Sequence, residues 1–280
     1  MLKAIGISGL TKKNKKKAIK PFKNYYKEWF NTLKNSLLPQ LSRAMVSCSS
    51  PTLLATHVDA IHHHFQAYYE ELDLAAASID QVSHLLYPDW RNSLERPFLW
   101  LGDLHPYLFT NLLRSFLEDE ESEGSSDNGR TAANFPEICR FLDAMPWQVL
   151  MAWKSPTNTL MAKVDHIECG LRLMVPSLAA RARNAQALFV ERVGFDWKKF
   201  DGRKEKMEGA IEEALTGEME ELVNVFLDAN RLRKSALADI LNATNVYQAA
   251  LFFEALARFL VGFHDQKLLK EFEKCKFPII

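Results

Sequence analysis

Glycine and proline are scarce in this chain, eleven of each in 280 residues, and long stretches carry neither. That scarcity, with heavy use of Leu, Ala, Glu and Lys, argues against turn-rich β architectures and for helices. The four cysteines, Cys48, Cys139, Cys169 and Cys275, are widely spaced and form no C-x-x-C pair. Zinc and dithiol redox motifs are therefore not expected, and a reduced intracellular protein is. No apolar run reaches the roughly 18 residues that a spanning helix needs. G-x-S-x-G, P-loop and G-x-G-x-x-G motifs are missing too, so the local signatures of several large enzyme classes are absent. No short repeat period is visible.

What is present is a soluble composition, 48% hydrophobic and 25% charged, with a formal net charge of zero. The zero hides an asymmetry. Residues 1–20 carry seven lysines and no acid, which leaves 28 basic and 35 acidic side chains in the remainder, net −7. The arm is expected to be disordered. Its cluster Lys12, Lys13, Lys15, Lys16 and Lys17 suits peripheral contact with an anionic membrane, nuclear import, or a simple solubilising tail. Because the apolar part precedes the lysines, the segment is not patterned as a secretory signal.

Residues 21–280 are expected to form one all-α domain, a bundle of long antiparallel helices. Phe22, Tyr25, Tyr26, Trp29, Phe30, Leu33 and Leu37 recur at helical steps in a first helix from Pro21 to about Val46, which Pro39 should kink. Ser50-Pro51 is a cap followed by a first-turn proline. It opens a second helix lined by Leu54, Val58, Ile61, Phe65, Tyr68, Tyr69 and Leu72, running to about Leu86. Glu118 to Asn134 is too polar to bury and reads as a mobile acidic loop. Its Glu118, Asp119, Glu120, Glu121 and Glu123 are candidate partner contacts. A helix is expected from Pro136 through Leu142. Another should run from Leu160 to about Val193, kinked at Pro176 and ended by Gly194. A further one starts near Lys204, and Thr244 is the expected cap of the final helix. No strong strand pattern is visible.

The most informative stretch is Tyr87 to Phe109. Trp90 and Trp100 flank a short expected helix with Ser93 or Asn92 as cap, Pro97 in its first turn and Gly102 as its left-handed end. Both indoles are expected to be largely buried, at a corner where long helices meet.

No catalytic set emerges. His62, His63 and His64 are successive on a helix, so their side chains point about 100° apart and cannot share one ion. Asp165, His166 and Cys169 are close in sequence, but a structural role is the simpler reading. Neither metal nor cofactor is expected.

Three patterns carry a family resemblance. Phe22, Tyr26 and Trp29 form F-x-x-x-Y-x-x-W. Pro88, Trp90 and Glu95 form P-x-W-x-x-x-x-E, followed by Trp100-Leu101-Gly102. Asp228 to Arg233, then Leu237, Ile240, Leu241 and Thr244, complete the series. In this order they resemble the plant delay-of-germination domain, also found behind the zipper of TGA-type bZIP factors. Leu33 stands where the family usually has Gln, and Gly102-Asp103-Leu104-His105 where it has Gly-Gly-aromatic-Arg. The arm holds no zipper, so direct DNA binding is not expected. His264 is the only histidine after His166, so haem binding is not carried over either. The size, the arm and Tyr25-Tyr26-Lys27-x-Trp29-Phe30 resemble the pollen-aperture branch of the family. The resemblance implies a non-catalytic protein, peripheral at the plasma membrane on its cytoplasmic side. It would bind protein partners, another aperture factor among them, and help keep exine off the aperture domains. The alternatives are a nuclear regulator that binds phosphatases or transcription factors, and a sensor of a small apolar ligand.

Overall fold

The computed structural model describes residues 22–47, 50–77, 79–118, 146–200 and 204–275. The lysine cluster, the acidic segment beyond Glu118 and the expected helix at Pro136 lie outside these residues.

The described chain is almost wholly helical, as expected. The first helix is α1 (Phe22–Thr32), a π-turn (Leu33–Leu37) and α2 (Leu38–Val46) in series. Pro39 has no N–H to donate to the carbonyl four residues back, and the wider turn just before it absorbs that loss. Within it the Leu38 N–H reaches back to Leu33 O. Ser50 then caps α3 (Pro51–Ala76) through its side chain, with Pro51 in the first turn. Phe22 meets Tyr68, and Trp29 meets Phe65. Residues early in α1 thus face residues late in α3, the antiparallel register expected of a short connection.

α4 (Ile79–Leu86) is a separate helix. α5 (Tyr107–Glu118), the short α6 (Trp147–Leu150), α7 (Asn158–Phe200), α8 (Lys204–Ala243), α9 (Val246–Gly262) and α10 (Gln266–Lys274) follow. The core gathers Trp29, Leu33, Leu41, Ile61, Phe65, Phe226, Phe252 and Phe253 from α1, the π-turn, α2, α3, α8 and α9. α7 and α8 pack along each other. Near the core they bury Val164 and Leu171 against it, and farther out they bury Ala185 and Ala214.

The second helix ends at Ala76 rather than near Leu86, and three further expectations need correction. α7 runs through Gly194 to Phe200: glycine weakens a helix by about 1 kcal/mol but does not end one that is packed against a neighbour. Asn245, not Thr244, caps α9, because Gln248 completes a capping box with it. Thr244 instead donates its hydroxyl back to Ile240 O, 2.8 Å away.

The remaining correction concerns the central stretch. It holds a single turn of 3-10 helix (Arg96–Phe98) and then a hairpin of β1 (Leu99–Trp100) and β2 (Asp103–Leu104). Leu99 pairs with Leu104 and Trp100 with Asp103. Leu101 and Gly102 form the two-residue loop, with φ of 45° and 85°. Positive φ at both positions is what the twist of a tight hairpin demands. Gly102 does take the left-handed conformation, but it turns a hairpin rather than ending a helix.

Candidate functional site

The hairpin owes its shape to two buried arginines. Arg91 follows the mostly buried Trp90 and reaches inward. Its Nη1 donates to Tyr26 Oη at 3.0 Å and to Glu95 Oε2 at 3.2 Å. Its Nη2 donates to Tyr68 Oη at 2.6 Å and to Asp103 Oδ1 at 2.8 Å. The guanidinium also lies over the Tyr26 ring, 4.2 Å from its centroid. Burial alone lowers an arginine pKa, yet Tyr68, Asp103, Tyr26 and Glu95 together carry Arg91 well above its ordinary value.

Arg233 of α8 works on the backbone. Nε donates to Leu104 O and Nη1 to Asn230 Oδ1, each at 2.8 Å. Nη2 is shared among the carbonyls of Trp100, Leu101 and Asp103. A rigid fork of donors thereby replaces the neighbouring strands that a two-stranded hairpin lacks. Burial lowers the Arg233 pKa more than Asp103 raises it.

Glu95 is the second anion. Asn92 Nδ2 donates to its Oε1 at 3.1 Å and to Phe263 O at 3.0 Å, which ties the turn to the end of α9. His264 Nε2 lies 2.9 Å from the same Oε1, its ring tilted over Phe30 at 4.0 Å. Burial pushes the Glu95 carboxyl up, but His264 and Arg91 outweigh it and hold it below the usual carboxylate range. Two arginines and two carboxylates thus meet in an interior where an unpaired charge would cost several kcal/mol.

The residues singled out from the sequence fall into clear places. Trp29, Pro88, Glu95 and Gly102 are buried, and Leu101 is half-buried in the turn. Trp90 and Trp100 are mostly but not fully buried, each indole lying at the rim of the network. Trp90 leans on Phe22, centroids 6.1 Å apart. Trp100 sits against Arg233. Asn92, not Ser93, is the local cap: its Oδ1 accepts from Leu94 N at 2.9 Å and Glu95 N at 3.1 Å. Glu118 ends α5. Asp119, Glu120, Glu121, Glu123 and the five clustered lysines lie outside the described residues. Asp165 pairs with Arg114, as does Glu168, while His166 and Cys169 are exposed. Arg91 was missed in the sequence because arginine is ordinarily a surface residue. Its spacing of four before Glu95 was the available signal.

Outside the network the same segment forms a groove of about 510 Å³. Its lining includes Tyr87, Pro88, Asp89, Arg96, Leu99 and Leu101. Tyr87 is 76% exposed. A larger groove, about 920 Å³ and open to solvent, runs between α2 and the start of α3 over Leu38, Pro39, Ala44, Val46 and Leu53. Among the described residues no single helix is long and apolar enough to cross a membrane, and no group of three His, Cys, Asp or Glu converges as a metal site.

Comparison with known proteins bears on this arrangement directly. The family model described as seed dormancy control (DOG1) matches residues 37–115, which include the arginine-bearing turn and the hairpin. The chain is 44% identical over 274 residues to Protein INAPERTURATE POLLEN1 of Arabidopsis thaliana, covering 95% of this chain and 97% of that one. It is 34% identical over 265 residues to the INAPERTURATE POLLEN 1 homolog of Oryza sativa subsp. japonica, covering 92% and 91%. With near-complete coverage on both sides, the chain belongs to the INAPERTURATE POLLEN1 family within the DOG1-domain proteins.

Proposed function

We propose that this chain is a regulatory, non-catalytic factor of pollen aperture formation. It acts at the cytoplasmic face of the plasma membrane through protein partners, at domains where exine is not laid down. The similarity to two proteins named for inaperturate pollen, over nearly the whole chain, carries the reading. The geometry supports it. The charged groups of the centre are turned inward and committed to one another or to the hairpin backbone, so their effect is to hold a surface in shape. That surface presents an exposed tyrosine on an apolar rim, the composition that anchors protein contacts. The larger groove is open rather than enclosed, which favours a partner's side chains over a sequestered apolar ligand.

The test is expression of a tagged chain in developing pollen of Arabidopsis plants that lack INAPERTURATE POLLEN1. Restored apertures and discrete patches at the plasma membrane are expected. Nuclear accumulation without apertures would overturn the reading.

A further inference from the structure

Among the described residues α10 stands apart from the other α-helices. Asp265 caps it, accepting from Lys267 N at 2.7 Å and Leu268 N at 3.1 Å, yet none of its nine residues is buried. Its side chains are nonetheless segregated. Leu268 and Phe272 are four apart, and Leu269 stands beside them, so the three share one side. Lys267, Lys270 and Lys274, at steps of three and four, occupy the other. Leu268 is 51% and Phe272 43% exposed. A helix this short is marginal in water without a surface to receive its apolar side. We propose that this surface is an anionic lipid leaflet, and that α10 is a second, folded membrane-contact element. The proposal rests on the plasma-membrane reading above and deepens it.

Area and charge both favour lipid over protein. Two or three partly exposed apolar side chains supply roughly 300 Å² at most, against about 800 Å² per partner in a stable protein interface. Insertion into a headgroup layer has no such minimum, since each apolar side chain contributes by its own area. The three lysines outnumber Glu271 and Glu273, and Glu273 already accepts from Ser93 Oγ at 3.3 Å. Lysines opposite a narrow Leu/Phe side are the pattern of a helix lying in the interface plane, their stems reaching back to the headgroups. The chain continues with Lys276, Phe277, Ile279 and Ile280, in keeping with that character.

The experiment is co-sedimentation of the full chain with phosphatidylcholine vesicles, with and without phosphatidylserine. Three proteins are compared: wild type, the double variant L268E/F272E, and a variant with Lys12, Lys13, Lys15, Lys16 and Lys17 changed to Gln. Wild type should pellet with the phosphatidylserine vesicles. The helix variant should lose about tenfold or more of that partition, from the apolar area removed, while its thermal midpoint stays at the wild-type value. If it pellets like wild type while the lysine variant does not, α10 is not a lipid contact and the membrane reading survives. If wild type itself fails to pellet, α10 is not a lipid contact, and placement at the plasma membrane must come from protein partners, which the pollen-expression experiment tests separately. If the helix variant melts well below wild type, its apolar side is covered by the body and the proposal is overturned. The conservative variant L268I/F272L should pellet like wild type, and its loss of binding would equally count against the proposal.

Discussion

Arg233 and Asp103 are joined through the backbone, not through opposite charges. Arg233 Nη2 donates to the Asp103 carbonyl at 3.2 Å, which leaves the carboxylate free to take Arg91 at 2.8 Å. One residue of the hairpin therefore binds two arginines from different parts of the chain, one by its main chain and one by its side chain. The consequence is mutual dependence. Arg91 sets the side chain that orients the turn, and Arg233 fixes the turn that presents that side chain.

Arg91→Met should cost about 3–5 kcal/mol, because it strands Asp103 and Glu95 in the interior without their common partner. Arg91→Lys should recover little of this. A single ammonium cannot reproduce a planar fork that reaches two carboxylates and two phenols at once. Chemical denaturation of both variants measures the difference.

Gly102→Ala should cost about 2–4 kcal/mol, from strain at positive φ and a clash with well-packed neighbours. An added Cβ would come within 2.5 Å of Leu85 O and 2.6 Å of the Phe226 ring. Gly194→Ala is the matched control. That glycine lies inside α7, and beyond the helix's own adjacent backbone an added Cβ would meet no atom within 4 Å, so the substitution should stabilise by about 0.5–1 kcal/mol. Thermal midpoints that move in opposite directions would verify the pair.

These contrasts also explain what was readable in the sequence. The aromatic stripe of α1, the Ser50-Pro51 start of α3 and the apolar side of α9 are local patterns, and local patterns survive in one dimension. The hairpin is different. Four strand residues carry too little alternation to register, and Leu101 at the first turn position lacks the usual Asn or Asp. What forces the turn is Arg233, about 130 residues further along. Asn245 could have been found, since Gln248 three residues later is a capping-box signature. The grooves and the exposed side of α10 depend on which faces the neighbouring helices leave uncovered, and no single-segment pattern records that.

The tryptophans should rank by burial, not by membership in the motif. Trp29 is buried against Tyr68 at 4.6 Å and Phe65 at 5.5 Å, and its Nε1 donates to His64 O at 3.0 Å. Trp29→Ala should cost about 3–5 kcal/mol. Trp100→Ala should cost less, in proportion to its lesser burial, together with whatever order the hairpin loses above Arg233. Equal losses in the two variants would contradict the rim position of Trp100.

The last prediction concerns acid. His105 Nδ1 accepts from the Tyr107 N–H at 3.2 Å at the start of α5, so it must be unprotonated there. Burial lowers the His105 pKa, and the charge of Arg233 lowers it further. Burial also lowers His64 and His62. In each case the unfolded chain holds the proton more tightly, its pKa lying near 6.5. The stabilisation is therefore complete above that value and is lost as pH falls through it towards the folded pKa. Glu95, also depressed, adds a further loss only below its unfolded value near 4.5. His105→Asn keeps a side-chain acceptor for Tyr107 N–H but removes the titration. Between about pH 7 and pH 5 the thermal midpoint of wild type should fall more steeply than that of the variant. Parallel curves would show that His105 is protonated equally in both states, and the helix start would then not depend on its neutral form.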